Sequence, residues 1–298
     1  MKNKTINTFL RYPGGKSKNS IRQKIYSKFP KYYEEYREAF VGGGGVFFGL
    51  DRSSVKRLWI NDANAALIEV YNALRDRPEE FIESCRKIDP PLEEEPTVNS
   101  RENSRGGKQY NKRLKEVFDF FKYNNDCDQA LRYFFLNRTV WGGRVNYDPD
   151  KESRLYFSNP QGWNIVKTDK LHIASEYLKN VRITALDFEH VLLEDGENVV
   201  IYADPPYIKD TVLSEQSKLY QFGFSMQDHI RFRDCVLKSK HKIIISYDDI
   251  DIIRLLYSCK PFNIYEEEWV YCGTSSPKNS ESQRKKKTGK ELIITNFL

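Results

Sequence analysis

The tetrapeptide Asp204-Pro205-Pro206-Tyr207 limits what this chain can fold into more than any other feature. It follows the apolar run Val199-Val200-Ile201-Tyr202-Ala203, which predicts a buried strand. Each proline lacks the ladder N–H and has its φ fixed, so the strand must stop at the acid. The expected result is a stiff corner at a strand's carboxyl edge, where open α/β sheets place their ligands. That corner offers one carboxylate, backbone carbonyls without a ladder partner, and an aromatic ring. These groups suit a planar base held by its amino edge and stacked on its face. A carboxylate and a carbonyl accepting both hydrogens of an aromatic amine favour the pyramidal form, whose lone pair is free to attack. Placement and fixed dipoles suffice for this, with no covalent intermediate and no metal. Taken alone, the tetrapeptide fits an ordinary proline turn almost as well.

The rest of the chain reads as α/β. Strands are expected at Tyr36 to Val41, Val55 to Ile60, Val181 to Leu186, Val199 to Ala203 and Ile243 to Ser246. Helices are expected at Ala63 to Leu74, Ile173 to Leu178 and Met226 to Lys238. This alternation argues a parallel sheet with helices on both faces. Glu267 to Tyr271 and Glu291 to Phe297 have no helix between them, which predicts an antiparallel edge hairpin. Residues 78–164 interrupt the pattern. The stretch from Arg77-Pro78 to Gly107 has a loop-like composition, and helices are expected near Leu114 to Tyr123 and Gln129 to Leu136. Two short runs, Trp141 to Tyr147 and Arg154 to Phe157, flank an Asp148-Pro149-Asp150-Lys151 turn and read as a hairpin carrying arginines and aromatics.

A second motif follows the first strand. Gly42 and Gly44 allow close approach of the backbone to a ligand, as in the first turn of nucleotide-binding α/β folds. Asp62 lies at the end of the next strand, where an acid accepts from ribose hydroxyls. The third glycine of a dinucleotide fingerprint falls on Phe47, so a nucleoside without a pyrophosphate fits better. Near the N-terminus, Arg11-Tyr12-Pro13-Gly14-Gly15-Lys16 has Leu10 where a phosphate loop needs glycine. Lys16 suits a ligand carboxylate, with Tyr12 as an apolar wall.

Composition sets limits. A chain of 298 residues supports one large domain or a catalytic domain with an insertion. The net charge of +6 fits a polyanionic partner without demanding one. The five cysteines form no C-x-x-C pair and the four histidines are scattered, so neither a metal site nor a disulfide framework is expected. No signal-like segment and no 18-residue apolar run occurs, so a soluble cytoplasmic protein is expected, with no membrane association.

Four motifs in order, Tyr12-Pro13-Gly14-Gly15-Lys16, Glu38-Ala39-Phe40-Val41-Gly42-Gly43-Gly44, Asn61-Asp62-Ala63-Asn64 and Asp204-Pro205-Pro206-Tyr207, resemble the Dam-type DNA adenine-N6 methyltransferases. The resemblance implies a Rossmann-like sheet that binds S-adenosyl-L-methionine and methylates the amine of a flipped adenine in double-stranded DNA. Residues 1–77 and 165–298 would form the catalytic domain, and 78–164 an inserted, mainly helical target-recognition domain. Tyr12 and Lys16 would meet the donor's methionine part, Phe40, Gly42 and Gly44 its centre, Asp62 its ribose, and Asp187-Phe188 its adenine. Asp204, which the donor also approaches, would take the target base together with Pro205, Pro206 and Tyr207.

Within the insertion, Leu136-Asn137-Arg138 and Trp141-Gly142-Gly143 resemble the run leading into the family's DNA-contacting hairpin. Arg138, Trp141, Arg144 and Asn146 are its expected contacts, with Lys285 and Lys286 on phosphates. Trp141, Gly142 and Asn146 depart from the GATC-specific members. A cognate restriction endonuclease fits as a partner, and no obligate protein partner is implied. Three alternatives remain: a cytosine-N4 methyltransferase, which usually carries Ser at the position of Asp204, a glutamine-N5 protein methyltransferase, which usually carries Asn there, and a catalytically silent DNA-binding protein on the same scaffold.

Overall fold

Seven strands supply the frame: β1 (Glu35–Glu38), β2 (Arg57–Asn61), β3 (Val181–Thr184), β4 (Val199–Ala203), β5 (Lys242–Asp248), β6 (Asn263–Val270) and β7 (Thr288–Thr295). The structure, a computed structural model, describes residues 8–12, 14–88, 104–145, 155–208, 224–270 and 288–298. The sheet order is β3-β2-β1-β4-β5-β7-β6. β1 runs parallel to β2 and β4, and β4 to β5, whereas β7 is antiparallel to both β5 and β6. A mostly parallel sheet closed by an antiparallel edge pair is the Rossmann-like arrangement expected from the sequence. The order reverses between β1 and β4, which makes their carboxyl ends the topological switch point.

The chain divides into two compact units, residues 18–40, 51–61 and 186–298 in one and residues 1–17, 41–50 and 62–185 in the other. The first of these holds β4, whose five residues are all buried, as a strand between two parallel neighbours requires. Val199, Ile201 and Ala203 share a core with Ile243 and Ile245 of β5 and Leu292 and Ile294 of β7. Helices α7 (Phe188–Leu193), α8 (Met226–Lys238) and α9 (Asp251–Leu256) cover that face with Phe188, Val191, Phe232, Val236 and Ile253. An eight-residue helix, α1 (Asn19–Tyr26), also belongs to this unit.

Strand β1 is shorter than its apolar pattern predicts, and it carries buried charge. Arg37 is 1 % exposed and binds Glu35 at 2.6 Å. It also donates to the carbonyls of Val191, Glu194 and Asp195. Several hydrogen bonds to one guanidinium are what a buried ion needs. Asn61, at the end of β2, is likewise 1 % exposed. Its Nδ2 donates to the carbonyls of Ala39 (3.1 Å) and Leu186 (2.9 Å), and its Oδ1 accepts from the Leu186 N–H at 2.9 Å.

The other unit is largely helical: α2 (Ala65–Asp76), α3 (Pro78–Ile88), α4 (Ser104–Tyr123), α5 (Gln129–Thr139) and α6 (Lys170–Leu178). Helix α2 packs on α5 and α6, and the Phe9 ring meets those of Phe48, Tyr71 and Phe134 in edge-on or tilted contacts. Two expectations need correction. The stretch after Arg77 is not loop throughout, because Pro78 opens α3, where its missing N–H costs nothing. Trp141–Gly143 is a 3-10 turn and not a strand, since Gly142 and Gly143 have φ of 66° and 72°. Of the expected hairpin, an isolated antiparallel bridge, Val140 to Phe157, is present among the described residues. No helix among the described residues is long and apolar enough to cross a membrane.

Replacing Asn61 by Ala strands two carbonyls and one N–H beneath the sheet's carboxyl edge. A loss of at least about 2 kcal/mol is expected from urea unfolding, on the scale of about 1–3 kcal/mol per unsatisfied buried group. An unchanged midpoint would show that Asn61 clamps nothing.

Candidate active site

The corner forms where the sequence places it. β4 ends at Ala203, and Asp204 to Ile208 carry no regular structure. Pro205 is buried, while Asp204, Pro206 and Tyr207 are half-buried. Tyr207 turns back on the acid: its hydroxyl lies 2.8 Å from Asp204 Oδ1 and 3.1 Å from Glu291 Oε2 of β7, and its single proton is shared between the two acceptors. Burial, reinforced by the two carboxylates, holds the phenol's pKa well above its ordinary 10, so it remains a donor. Its ring lies 6.0 Å from that of Tyr247, whose hydroxyl is 2.8 Å from His229 Nδ1.

Beside this corner in the same unit lies an aromatic group. Phe40 meets Phe188, Phe224 and Phe232 with ring centroids 5.6 to 5.9 Å apart. Asp187 caps α7 by accepting from the Glu189 N–H at 2.9 Å, and Arg231 grips both its oxygens at 2.9 Å. The guanidinium, more than any other neighbour, lowers the Asp187 pKa and keeps the acid ionised. Arg231 also lies over the Phe188 ring at 4.2 Å.

In the helical unit, the glycine turn has the geometry its sequence calls for. Gly42 and Gly44 have φ of 47° and 69°. A Cβ on Gly42 would sit 2.9 Å from the Tyr12 ring, and one on Gly44 would sit 2.7 Å from the Phe48 ring. The Gly42 N–H donates to Asp62 Oδ2 and the Asn64 N–H to Oδ1, both at 3.0 Å. Burial raises the Asp62 pKa, and those two N–H groups oppose the rise. Lys16 is 3 % exposed, with Nζ 3.2 Å from the Gly14 carbonyl. Tyr12, Lys16, Gly42, Gly44 and Asp62 thus belong to one unit, whereas Phe40, Asp187, Phe188 and Asp204 belong to the other.

The expected DNA contacts separate. Trp141 is 54 % exposed and Arg144 lies over it, guanidinium to ring centroid 5.0 Å. Arg138 turns inward instead, donating to the carbonyls of Gly162 and Phe9. Burial lowers its pKa to about 10. Asn137 fixes the turn by donating to the carbonyls of Arg11 and Gly143. Pro13, Asn146, Lys285 and Lys286 lie outside the described residues.

Sequence reasoning missed Glu291 and Arg231, and it named Asn61 and Asn137 within motifs without giving them a role. An acid at the head of the apolar run Leu292-Ile293-Ile294 was a visible signal for Glu291. For Arg231, a basic residue on an amphipathic helix reads as an exposed face, and no local signal marked its partner.

Comparison with known proteins shows the family. A model of the family "D12 class N6 adenine-specific DNA methyltransferase" matches residues 12–272. The Type II methyltransferase M1.LlaDCHI of Lactococcus lactis subsp. cremoris is 28 % identical, covering 99 % of this chain and 98 % of its own. The Type II methyltransferase M.MjaIII of Methanocaldococcus jannaschii is also 28 % identical, over 87 % and 90 %. A DNA adenine methylase of Vibrio cholerae is 25 % identical over 86 % of each chain.

His229 supplies a pH test of the core behind the corner. It is 1 % exposed, and burial lowers its pKa to about 4 from the ordinary 6.5. The stability it contributes is complete above about pH 6.5 and is lost as pH falls towards 4, because only the unfolded chain binds the proton there. His229→Gln is expected to remove about 2 kcal/mol of the stability lost between about pH 7 and about pH 4.5, read by urea unfolding. Equal losses in both proteins would place the pH dependence elsewhere.

Proposed function

Since the chain belongs to the D12 class N6 adenine-specific DNA methyltransferases, we propose that its Asp204 corner holds the target adenine and that its glycine turn and Asp62 hold S-adenosyl-L-methionine. The protein methylates DNA adenine at N6; the assignment of residues to that reaction is the proposal. The observation that carries it is the pinned acid, a half-buried carboxylate at the switch point with one oxygen fixed by the Tyr207 phenol.

The residues fit the donor. A carboxylate has about four acceptor positions, and Asp62 uses two on backbone N–H groups, which leaves capacity for two ribose hydroxyls. Half-buried Phe40, backed by the buried Phe188, offers an apolar wall to an adenine ring, and Asp187, kept ionised by Arg231, is an acceptor for its amine. Tyr12 and Lys16 suit the methionine part, Lys16 as the cation for its carboxylate. When bound, the donor supplies a methyl group on a positive sulfur. Asp204 and the Pro205 carbonyl then accept the two hydrogens of the target amine and expose its lone pair. Pro206 stiffens the corner, and the Tyr207 ring stacks on the base, a contact worth roughly 1–3 kcal/mol. Extrusion of the adenine from the duplex costs a few kcal/mol.

We assign residues 1–77 and 165–298 to catalysis and residues 78–164 to target recognition. Trp141 and Arg144 form the exposed contact point, and Arg138 holds the backbone behind it. Asn146, Lys285 and Lys286 join the DNA contacts on the strength of the sequence. The Type II names of two relatives favour a restriction endonuclease as the working partner, in the cytoplasm where the DNA lies.

Duplex DNA incubated with labelled donor and digested to nucleosides is expected to carry the label in N6-methyladenosine; label in N4-methylcytosine would overturn the base assignment. In the same assay Asp204→Ala is expected to slow transfer roughly 10²- to 10³-fold while donor binding is retained. Near-normal turnover would remove the acid from the mechanism. The double change Trp141→Ala and Arg144→Ala is expected to weaken DNA binding and flatten its dependence on salt, because a phosphate contact is lost. An unaltered slope would move the contact elsewhere.

A further inference from the structure

Glu291 is an unexpected residue for its position. It lies on β7 at 1 % exposure, followed by Leu292, Ile293 and Ile294, which are all fully buried. Its ladder partners are Asp248 on β5 and Glu267 on β6, so acids stand opposite it on both sides. Like charges directly opposite destabilise a sheet, and an apolar residue would suit the strand better. What Glu291 does reach is the Tyr207 hydroxyl, at 3.1 Å, and that same hydroxyl donates to Asp204 at 2.8 Å. β7 is two strands away from β4, with β5 between them. The Asp204–Tyr207 segment has no ladder of its own, so this phenol ties it to the rigid sheet.

We propose that Glu291 is a positioning residue for the transfer reaction: through the Tyr207 hydroxyl it fixes the orientation of the Asp204 carboxylate. The proposal rests on the reading that Asp204 holds the target amine. It explains why a glutamate occupies a strand interior that favours isoleucine or leucine. The hydroxyl has a single proton shared between the two carboxylates, so the phenol oxygen is fixed where it reaches both, nearer Asp204 (2.8 Å) than Glu291 (3.1 Å). Removing Glu291 leaves the phenol and Asp204 able to rotate together, and a small misplacement at a reacting centre is costly in rate.

The test uses the full chain, a duplex substrate and S-adenosyl-L-methionine. Glu291→Leu is expected to melt at the wild-type temperature or higher, because it removes a buried charge from the strand. It is nevertheless expected to lower kcat about 10- to 100-fold, with KM for DNA and donor within about twofold. A purely structural role would not produce higher stability with lower kcat. Glu291→Gln, which keeps an oxygen acceptor for the phenol, is expected to stay within about threefold of wild type. Tyr207→Phe is expected to lower kcat, and adding Glu291→Leu to it should slow the enzyme no further, because Glu291 acts only through the hydroxyl. Wild-type kcat in Glu291→Leu, a Gln variant as slow as the Leu variant, or effects that multiply in the double variant would each overturn the proposal. Asp204→Ala keeps the two readings apart. If it is inactive while Glu291→Leu is normal, only the positioning role falls; if it is active, the corner reading itself falls.

Discussion

A central parallel strand that ends on an acid and two prolines is the constraint on which this molecule depends. β4 is buried along its whole length between β1 and β5, so its direction and depth are fixed by the sheet. Past Ala203 the prolines forbid further ladder bonds, and the polar groups that follow must find other partners. Asp204 finds the Tyr207 phenol, and that phenol is tied to β7. The outcome is an acid at the switch point that is stiff without being part of any strand. Such preorganisation is what a reaction without covalent catalysis requires, since the hydrogen-bond acceptors must be in place before charge develops.

Three acids of the molecule show how environment divides labour among identical side chains. Asp62 is buried on two backbone N–H groups, and burial raises its pKa. Asp187 is held ionised by Arg231. Asp204 is half-buried and pinned by a phenol. Each environment matches a different proposed partner: ribose hydroxyls, the donor's adenine, and the exocyclic amine of the target. Separate settings for like groups are the usual way in which one fold assigns separate roles. The buried Arg37 and Asn61 satisfy carbonyls around the elements that carry the acids.

Much of this was legible in the sequence because the signals were local. β4 and α8 begin and end at the predicted residues, since one is a pure apolar run closed by proline and the other an amphipathic helix with a Ser225–Asp228 capping box. The glycine turn was legible because two positions need positive φ, and Asp62 because it follows a strand. Other features depended on tertiary context. β1 ends sooner than its sequence suggests, and its buried arginine is paired with Glu35 and hydrogen-bonded to carbonyls some 150 residues away in the chain. Trp141–Gly143 resembled a strand by composition, but adjacent left-handed glycines coil it into a turn. Arg138 reads as a phosphate contact by type, yet its partners are the carbonyls of Phe9 and Gly162, and nothing in the local sequence announces them. Glu291 is separated from Tyr207 by 84 residues, and only the folded sheet joins them.

The account turns on what Asp204 touches during the reaction. A crystal structure of the protein with duplex DNA and a non-transferring donor analogue tests it most directly, through the distance from the Asp204 carboxylate to the adenine exocyclic nitrogen. The account expects an extruded adenine with that nitrogen within hydrogen-bond range, about 2.7–3.2 Å, of Asp204 and with Tyr207 still bound to the acid. An adenine seated away from the corner, or an amine held by other groups while Asp204 faces elsewhere, would contradict it.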